Sequence, residues 1–204
     1  MSILSLISPF AWIRRIISLL FLCLVGFYVY SGYLVYESSR LPTNPYLLKP
    51  SKALLVPVPS GNTVKLSGDM IGRLSQTISL YKAGVAPKVI VESSGSGLSL
   101  VKQYLTENQI PKQKITFLRA VSIPAGLSEL AASYANKGYM LTVVADALQA
   151  AYIENLAADN AIHVQLSPAV GSESVSVAGI AQLAKEASAV AVGKIIGFSN
   201  VDWG

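Results

Sequence analysis

The stretch Ser67–Gly97, SGDMIGRLSQTISLYKAGVAPKVIVESSGSG, decides the fold of this chain. Ser67 is a good N-cap, and apolar residues then recur at steps of three and four, which predicts one apolar face of a helix: Ile71, Leu74, Ile78 and Tyr81. Gly84 and Pro87 end this helix. Residues 88–92, KVIVE, predict a buried strand, and a Ser/Gly loop follows its carboxyl end. The stretch is therefore the second half of a β-α-β unit.

The same alternation of strands and helices continues through the rest of the chain. Helical segments of ordinary length separate the five predicted strands, which are Ala53–Val56, Lys88–Val91, Ile115–Leu118, Leu141–Val144 and His163–Leu166. Strands spaced in this way predict a parallel sheet with right-handed crossovers. We therefore expect residues 52–204 to form a doubly wound α/β domain with helices on both faces of the sheet.

A long apolar segment precedes this domain. Residues 16–36 contain no charged side chain, and as a helix they would be about 31 Å long, enough to cross one hydrocarbon core. We predict an uncleaved helix from Ile13 to Glu37, within an N-terminal region of residues 1–40, that contacts the lipid bilayer through residues 16–36. The competing interpretation is a cleaved signal peptide, but the apolar run is longer than usual and no A-x-A site ends it.

The charges that flank the apolar segment predict its orientation. Arg14 and Arg15 precede it, whereas Glu37 and Arg40 follow it and nearly cancel. The positive-inside rule then places the N-terminus in the cytoplasm and the domain outside it. We expect a single-pass protein of the bacterial inner membrane with a periplasmic domain. Residues 41–51 contain three prolines and predict an extended linker off the membrane.

The composition argues against several classes of function. The net charge is +5, but no basic run is longer than Arg14-Arg15, so we expect no nucleic-acid partner. Cys23, the one cysteine, lies in the apolar segment, so the domain has no disulfide. His163 is the one histidine, and one histidine with one membrane cysteine cannot form a metal ligand set. We therefore expect neither a metal nor a cofactor.

Part of the deciding stretch, RLSQTISLYKAGVAPKVIVESSG, resembles a segment of the DUF218 family, also called YdcF-like or SanA/ElyC-like proteins. In that segment an Arg-Leu helix ends in a Leu-Tyr pair followed by a glycine and a proline. The matching residues here are Arg73, Leu74, Leu80, Tyr81, Gly84 and Pro87. The order of predicted elements from Ala53 to about Phe198 agrees as well. The resemblance implies a degenerate family member with an N-terminal membrane anchor.

In a doubly wound sheet the ligand crevice lies at the carboxyl ends of the strands. The candidate ligand-binding residues at these ends are Arg73, Glu92, Ser93, Ser94, Gly95, Arg119 and Asp146. The Ser/Gly loop after Glu92 could hold an anion or be a plain connection. Arg73 could clamp a carboxylate or phosphate, or cover apolar surface with its stem. Without a ligand we expect Glu92 to pair with Arg73, and we expect Asp146 to have no partner for acid–base catalysis.

The chain departs from the family at three crevice motifs. A glycine-rich loop is replaced by VPVPSGNT at 56–63, whose prolines remove backbone N–H donors. The family's E..s.nT.eNa motif is replaced by RAVSIPAGLSE at 119–129, and its Ts.yHm.Ra motif by a segment that begins DALQAA at 146–151. Acidic, amide, histidine and arginine groups are lost together, and we expect no catalytic residues.

Two functions from different classes remain open. We favour a non-catalytic accessory or interaction subunit of a cell-envelope or membrane complex, which implies a membrane or envelope protein partner. The alternative is an enzyme that acts on a cell-envelope precursor, with Arg73, Glu92, Arg119 and Asp146 as its polar set. Converging charged groups with perturbed pKa values would favour the enzyme. A plugged or apolar crevice would favour the accessory subunit.

Overall fold

The computed structural model describes residues 9–38, 40–41, 44–58, 65–93, 97–120, 122–135, 137–169 and 177–201. The α-helices in these residues are α1 (Pro9–Ser38), α2 (Gly68–Lys82), α3 (Leu98–Glu107), α4 (Ile123–Tyr134), α5 (Ala150–Asp159) and α6 (Val177–Ile196). The strands are β1 (Ala53–Pro57), β2 (Val89–Glu92), β3 (Ile115–Leu118), β4 (Met140–Ala145) and β5 (His163–Pro168).

The five strands form one parallel sheet, which confirms the predicted fold class. Their order is β3-β2-β1-β4-β5, and every neighbouring pair is parallel. The chain starts at the central strand, moves outward to β3 and then crosses back to β4. The strand order therefore reverses between β1 and β4, and a doubly wound sheet binds its ligand at such a point.

Each face of the sheet packs against its own layer of helices. On one face, α2 and α3 cover a core that includes Leu54, Leu74 and Leu105. On the other face, α4, α5, α6 and the end of α1 contribute to a core that includes Leu55, Leu127, Ile153, Val190 and Val35. β1 is buried along its whole length because it lies at the centre of both cores.

Local signals in the deciding stretch have the predicted effects. Ser67 caps α2, and its Oγ accepts a hydrogen bond from the backbone N–H of Met70 at 3.2 Å. Gly84 follows the helix with a φ of 76°, a conformation that other residues adopt at a cost. β2 begins at Val89, one residue later than predicted, and β5 continues to Pro168.

α1 confirms the predicted N-terminal helix and extends it at both ends. Its stretch from Trp12 to Ser38 is long and apolar enough to cross a membrane. The side chains from Trp12 to Gly26 are exposed, whereas Ser31 and Val35 are completely buried against the domain. One unbroken helix is thus exposed in its first part and packed on the α/β domain in its last part.

Candidate functional site

The buried Arg73 and the partly exposed Asp146 form an ion pair where the strand order reverses. α2 places Arg73, which is 5% exposed, over the end of β1, and Asp146 directly follows β4. The guanidinium Nε donates to Oδ1 of Asp146 at 3.0 Å, and Nη2 donates to Oδ2 of the same carboxylate. Nη1 donates to the carbonyl oxygen of Pro57 at 2.8 Å. The guanidinium therefore ties α2 to the ends of β1 and β4 through a bidentate pair.

The expected pairing of Arg73 with Glu92 was wrong. The reason is the alternation of side chains along a strand. Glu92 is two residues from Ile90 and so faces the layer of α4 and α5. Arg73 belongs to α2, which packs on the opposite face. The sheet itself separates the two charged groups, although Glu92 is in register with Pro57.

Glu92 is a buried carboxyl group beneath the first turns of α4. It is 3% exposed, and its Oε2 atom has no hydrogen-bond partner among the described residues. A Cβ atom on Gly126 would overlap the carboxyl group, so a larger residue at this position of α4 would force the Glu92 side chain to move. Burial, together with a smaller contribution from the negative charge of Glu129, raises the pKa of Glu92 to about 8. Glu92 is therefore mainly protonated at neutral pH.

A second buried carboxyl group, that of Glu186 on α6, was missed by the sequence analysis. Gln182 donates a hydrogen bond to its Oε1 at 2.6 Å, and Gln149 donates another. Burial raises the pKa of Glu186 to about 7, although Lys185 and the two hydrogen bonds act in the opposite direction. The charge of Asp146 adds to the rise, which places Glu186 near the same edge of the sheet.

One signal in the sequence points to Glu186. It is a single acidic residue within the Ala- and Val-rich run 184–192, and it precedes Ala189 and Val190 by three and four residues. Residues at that spacing share a helix face, and both of these are completely buried. A glutamate on the apolar face of a helix is a candidate for a perturbed pKa.

The other predicted site residues lie at different distances from the ion pair. Ser93 is buried at the end of β2, and its backbone N–H donates to the carbonyl of Leu118 at 3.0 Å. Arg119 is exposed after β3, which is three strands from β4, or about 14 Å at the usual strand spacing. Ser94 and Gly95 lie outside the described residues.

The carboxyl edge of the sheet thus joins one closed ion pair and two buried carboxyl groups with raised pKa values. Gln76 extends the polar cluster toward β5 by donating to Oγ of Ser167 at 2.9 Å. Gln149 adds a buried Oε1 atom that has no hydrogen-bond partner within the described part of the chain. Within the described part of the chain, no group of three or more His, Cys, Asp and Glu side chains is placed to hold a metal ion. The chemistry available here is proton transfer or hydrogen bonding by carboxyl groups.

A separate cavity of about 320 Å³ lies at the opposite, amino edge of the sheet. The ammonium group of Lys52 is 4.7 Å from the ring centre of Tyr139, and that of Lys88 is 5.6 Å from the ring centre of Tyr134. Both lysines line the cavity. This cavity does not belong to the crevice that a doubly wound sheet normally uses.

Comparison of the chain with protein-family models, with curated proteins and with solved structures gives no match. The resemblance to the DUF218 family therefore stays a prediction from the sequence. Since a fold can host many functions, only the site and the anchor helix bear on the function of this chain.

Proposed function

We propose that this chain is a single-pass protein of the bacterial inner membrane whose periplasmic α/β domain is a non-catalytic accessory or interaction subunit of a cell-envelope or membrane complex. The observation that carries the proposal is the closure of the Arg73 guanidinium by Asp146 and by the carbonyl of Pro57. A substrate anion would need those same donors.

The geometry of this closure favours a structural role for Arg73. Its Nε, Nη1 and Nη2 all donate to protein oxygens, and the side chain is almost completely buried. Leaving one charge of such a pair without its partner costs about 3–5 kcal/mol. An incoming carboxylate or phosphate would have to displace Asp146 and bear that cost. The pair instead holds three elements together where the strand order reverses.

The anchor helix supports a subunit that presents its surface in a fixed orientation. Ser31 and Val35 of α1 are buried against the domain. The hydroxyl of Tyr28 donates to the carbonyl of Ala184 on α6 at 2.9 Å. A domain attached in this way cannot turn freely on its anchor, and a stable complex with membrane neighbours benefits from such pre-organisation.

The test replaces the ion pair with an apolar pair of similar size, Arg73→Met with Asp146→Leu. Replacing a buried ion pair by packed apolar residues is often neutral or stabilising. We expect the full-length double variant to fold and to restore the wild-type phenotype when it is expressed in a deletion strain. We also expect it to migrate in the same complex as the wild-type protein on native electrophoresis of gently solubilised membranes. A folded variant that enters the complex but does not restore the wild-type phenotype to the deletion strain would refute the accessory role.

An enzyme acting on an envelope precursor is the second candidate, and one observation favours it. Glu92 and Glu186 are buried carboxyl groups with raised pKa values, as expected of a general acid at neutral pH. The matched variants Glu92→Gln and Glu186→Gln keep the shape of each side chain. Loss of complementation by either variant, with its complex intact, would support the enzyme over the accessory subunit.

A further inference from the structure

We propose that α6 lies at the surface of the bilayer that α1 crosses, with the exposed apolar side chains at its two ends in contact with lipid. This inference rests on the proposed membrane anchoring by α1. It adds a second contact between the chain and the membrane, made by the domain itself.

The length of the exposed part of α1 leaves no spacer between membrane and domain. From Trp12 to Tyr30 the side chains are exposed apart from the half-buried Phe27, and Ser31 is the first buried residue. This part of the helix is about 28 Å long, slightly less than one hydrocarbon core. If Arg14 and Arg15 lie at the inner interface, only residues 16–30 remain before the first buried residue, and these span only about 22 Å. The span must then include part of the segment that packs on the domain. Either placement puts the domain at the membrane surface.

The contacts of two tyrosines show how α6 is oriented relative to α1. Tyr28 contacts Ala184 through its hydroxyl group, and the ammonium group of Lys194 is 4.9 Å from the ring centre of Tyr30. Along α1 these tyrosines are about 3 Å apart, whereas their partners on α6 are about 15 Å apart. α6 therefore crosses α1 obliquely and extends to both sides of it. Because α1 crosses the bilayer, α6 is inclined toward the membrane plane.

The exposed surface of α6 has the composition of an interfacial helix. Ile180 near its start is 63% exposed, and Ile195 and Ile196 at its end are 68% and 51% exposed. Lys185 and Lys194 are also exposed on this helix. Apolar side chains with nearby lysines suit the boundary between acyl chains and anionic headgroups. Lipid is the occupant that this surface fits, because the surface adjoins a membrane-spanning helix.

The experiment measures the depth of single cysteines in the full-length protein. Since Cys23 is the one native cysteine, a Cys23→Ser background allows one environment-sensitive fluorophore per variant. The probe positions are Ile180→Cys and Ile195→Cys on α6, with Leu20→Cys in the proposed span as the membrane control. Ser79→Cys, exposed on α2 at the opposite face of the sheet, is the water control. Each variant is reconstituted into phosphatidylglycerol-containing vesicles with and without nitroxide-labelled lipids.

We expect both α6 positions to be quenched by the nitroxide lipids and to be severalfold less accessible to iodide than position 79. If either α6 position is as accessible to iodide as position 79 while position 20 is not, the interfacial placement of α6 is refuted and the anchor is not. If position 20 is itself as accessible to iodide as position 79, both the membrane anchor and the interfacial placement of α6 are refuted. All four positions are exposed, so the substitutions leave the core unchanged.

Discussion

Glu92→Gln should make the stability of this protein less dependent on pH. The carboxyl group has a pKa of about 8 in the folded protein, raised by burial from 4.5. The folded state therefore holds a proton that the unfolded state releases as the pH rises above about 4.5. The wild-type protein loses stability across this window and loses no more above about pH 8. At about 1.36 kcal/mol per pH unit, the loss approaches about 5 kcal/mol.

The assay is thermal unfolding of full-length wild-type and Glu92→Gln proteins in nanodiscs, followed by circular dichroism between pH 4 and pH 9. The quantity of interest is how the difference between the two proteins changes with pH. A constant cost of burying the amide cancels in this comparison, and so does the titration of Glu186. About 5 kcal/mol corresponds to a relative change in Tm of about 10–20 °C for a chain of this size.

The sign of the change is fixed by the direction of the pKa shift. The Tm of the variant should rise relative to that of the wild type as the pH increases from 5 to 8, and the difference should then stay constant. Parallel Tm curves over the whole range would show that Glu92 ionises at its ordinary pKa. The position of Glu92 beneath α4 would then not be the dry environment that the structure indicates.

Three further predictions concern the same edge of the sheet. Arg73→Lys keeps the charge but loses the bidentate hydrogen bonds to Asp146, so it should lower the free energy of unfolding by about 2 kcal/mol. An unchanged urea midpoint would show that Arg73 contributes no more to stability than a surface residue. Gly126→Ala should lower the free energy of unfolding by about 1–3 kcal/mol through overpacking. The matched control Gly68→Ala, where no described atom lies within 4 Å of the new Cβ, should leave the stability almost unchanged. Equal urea midpoints for the two variants would contradict the predicted steric overlap. Glu186→Gln should abolish a loss of stability between about pH 4.5 and 7, and thermal unfolding of that variant over this range would show whether it does.

The fold was predictable because local signals in the sequence agree with the global arrangement. Ser67 and Gly84 delimit α2, and the apolar run of β2 is short, bounded and covered on both faces. Such agreement is what specifies one topology. The errors at strand ends are small because the hydrophobic pattern stops at nearly the same residue as the hydrogen-bonded ladder.

The pairing within the site was less predictable because it depends on which face of the sheet each side chain occupies. Arg73 and Glu92 are near each other in the predicted topology, and their charges are complementary. Only the register of β1 and β2, together with the placement of α2, shows that they lie on opposite faces. The carboxylate that meets Arg73 comes from β4, across a crossover whose geometry the sequence does not specify.

α6 was predicted as a helix, but its two roles were hidden by its composition. A helix this rich in apolar residues is expected to bury most of them, yet Ile180 and Ile195 are exposed. Glu186 and Ile195 are nine residues apart, or two and a half turns, so they point in opposite directions. One side of α6 therefore holds a buried carboxyl group against the domain, while the opposite side presents isoleucine away from it. An apolar outer side is stable in contact with lipid and costly in water, which is why we place this helix at the membrane surface.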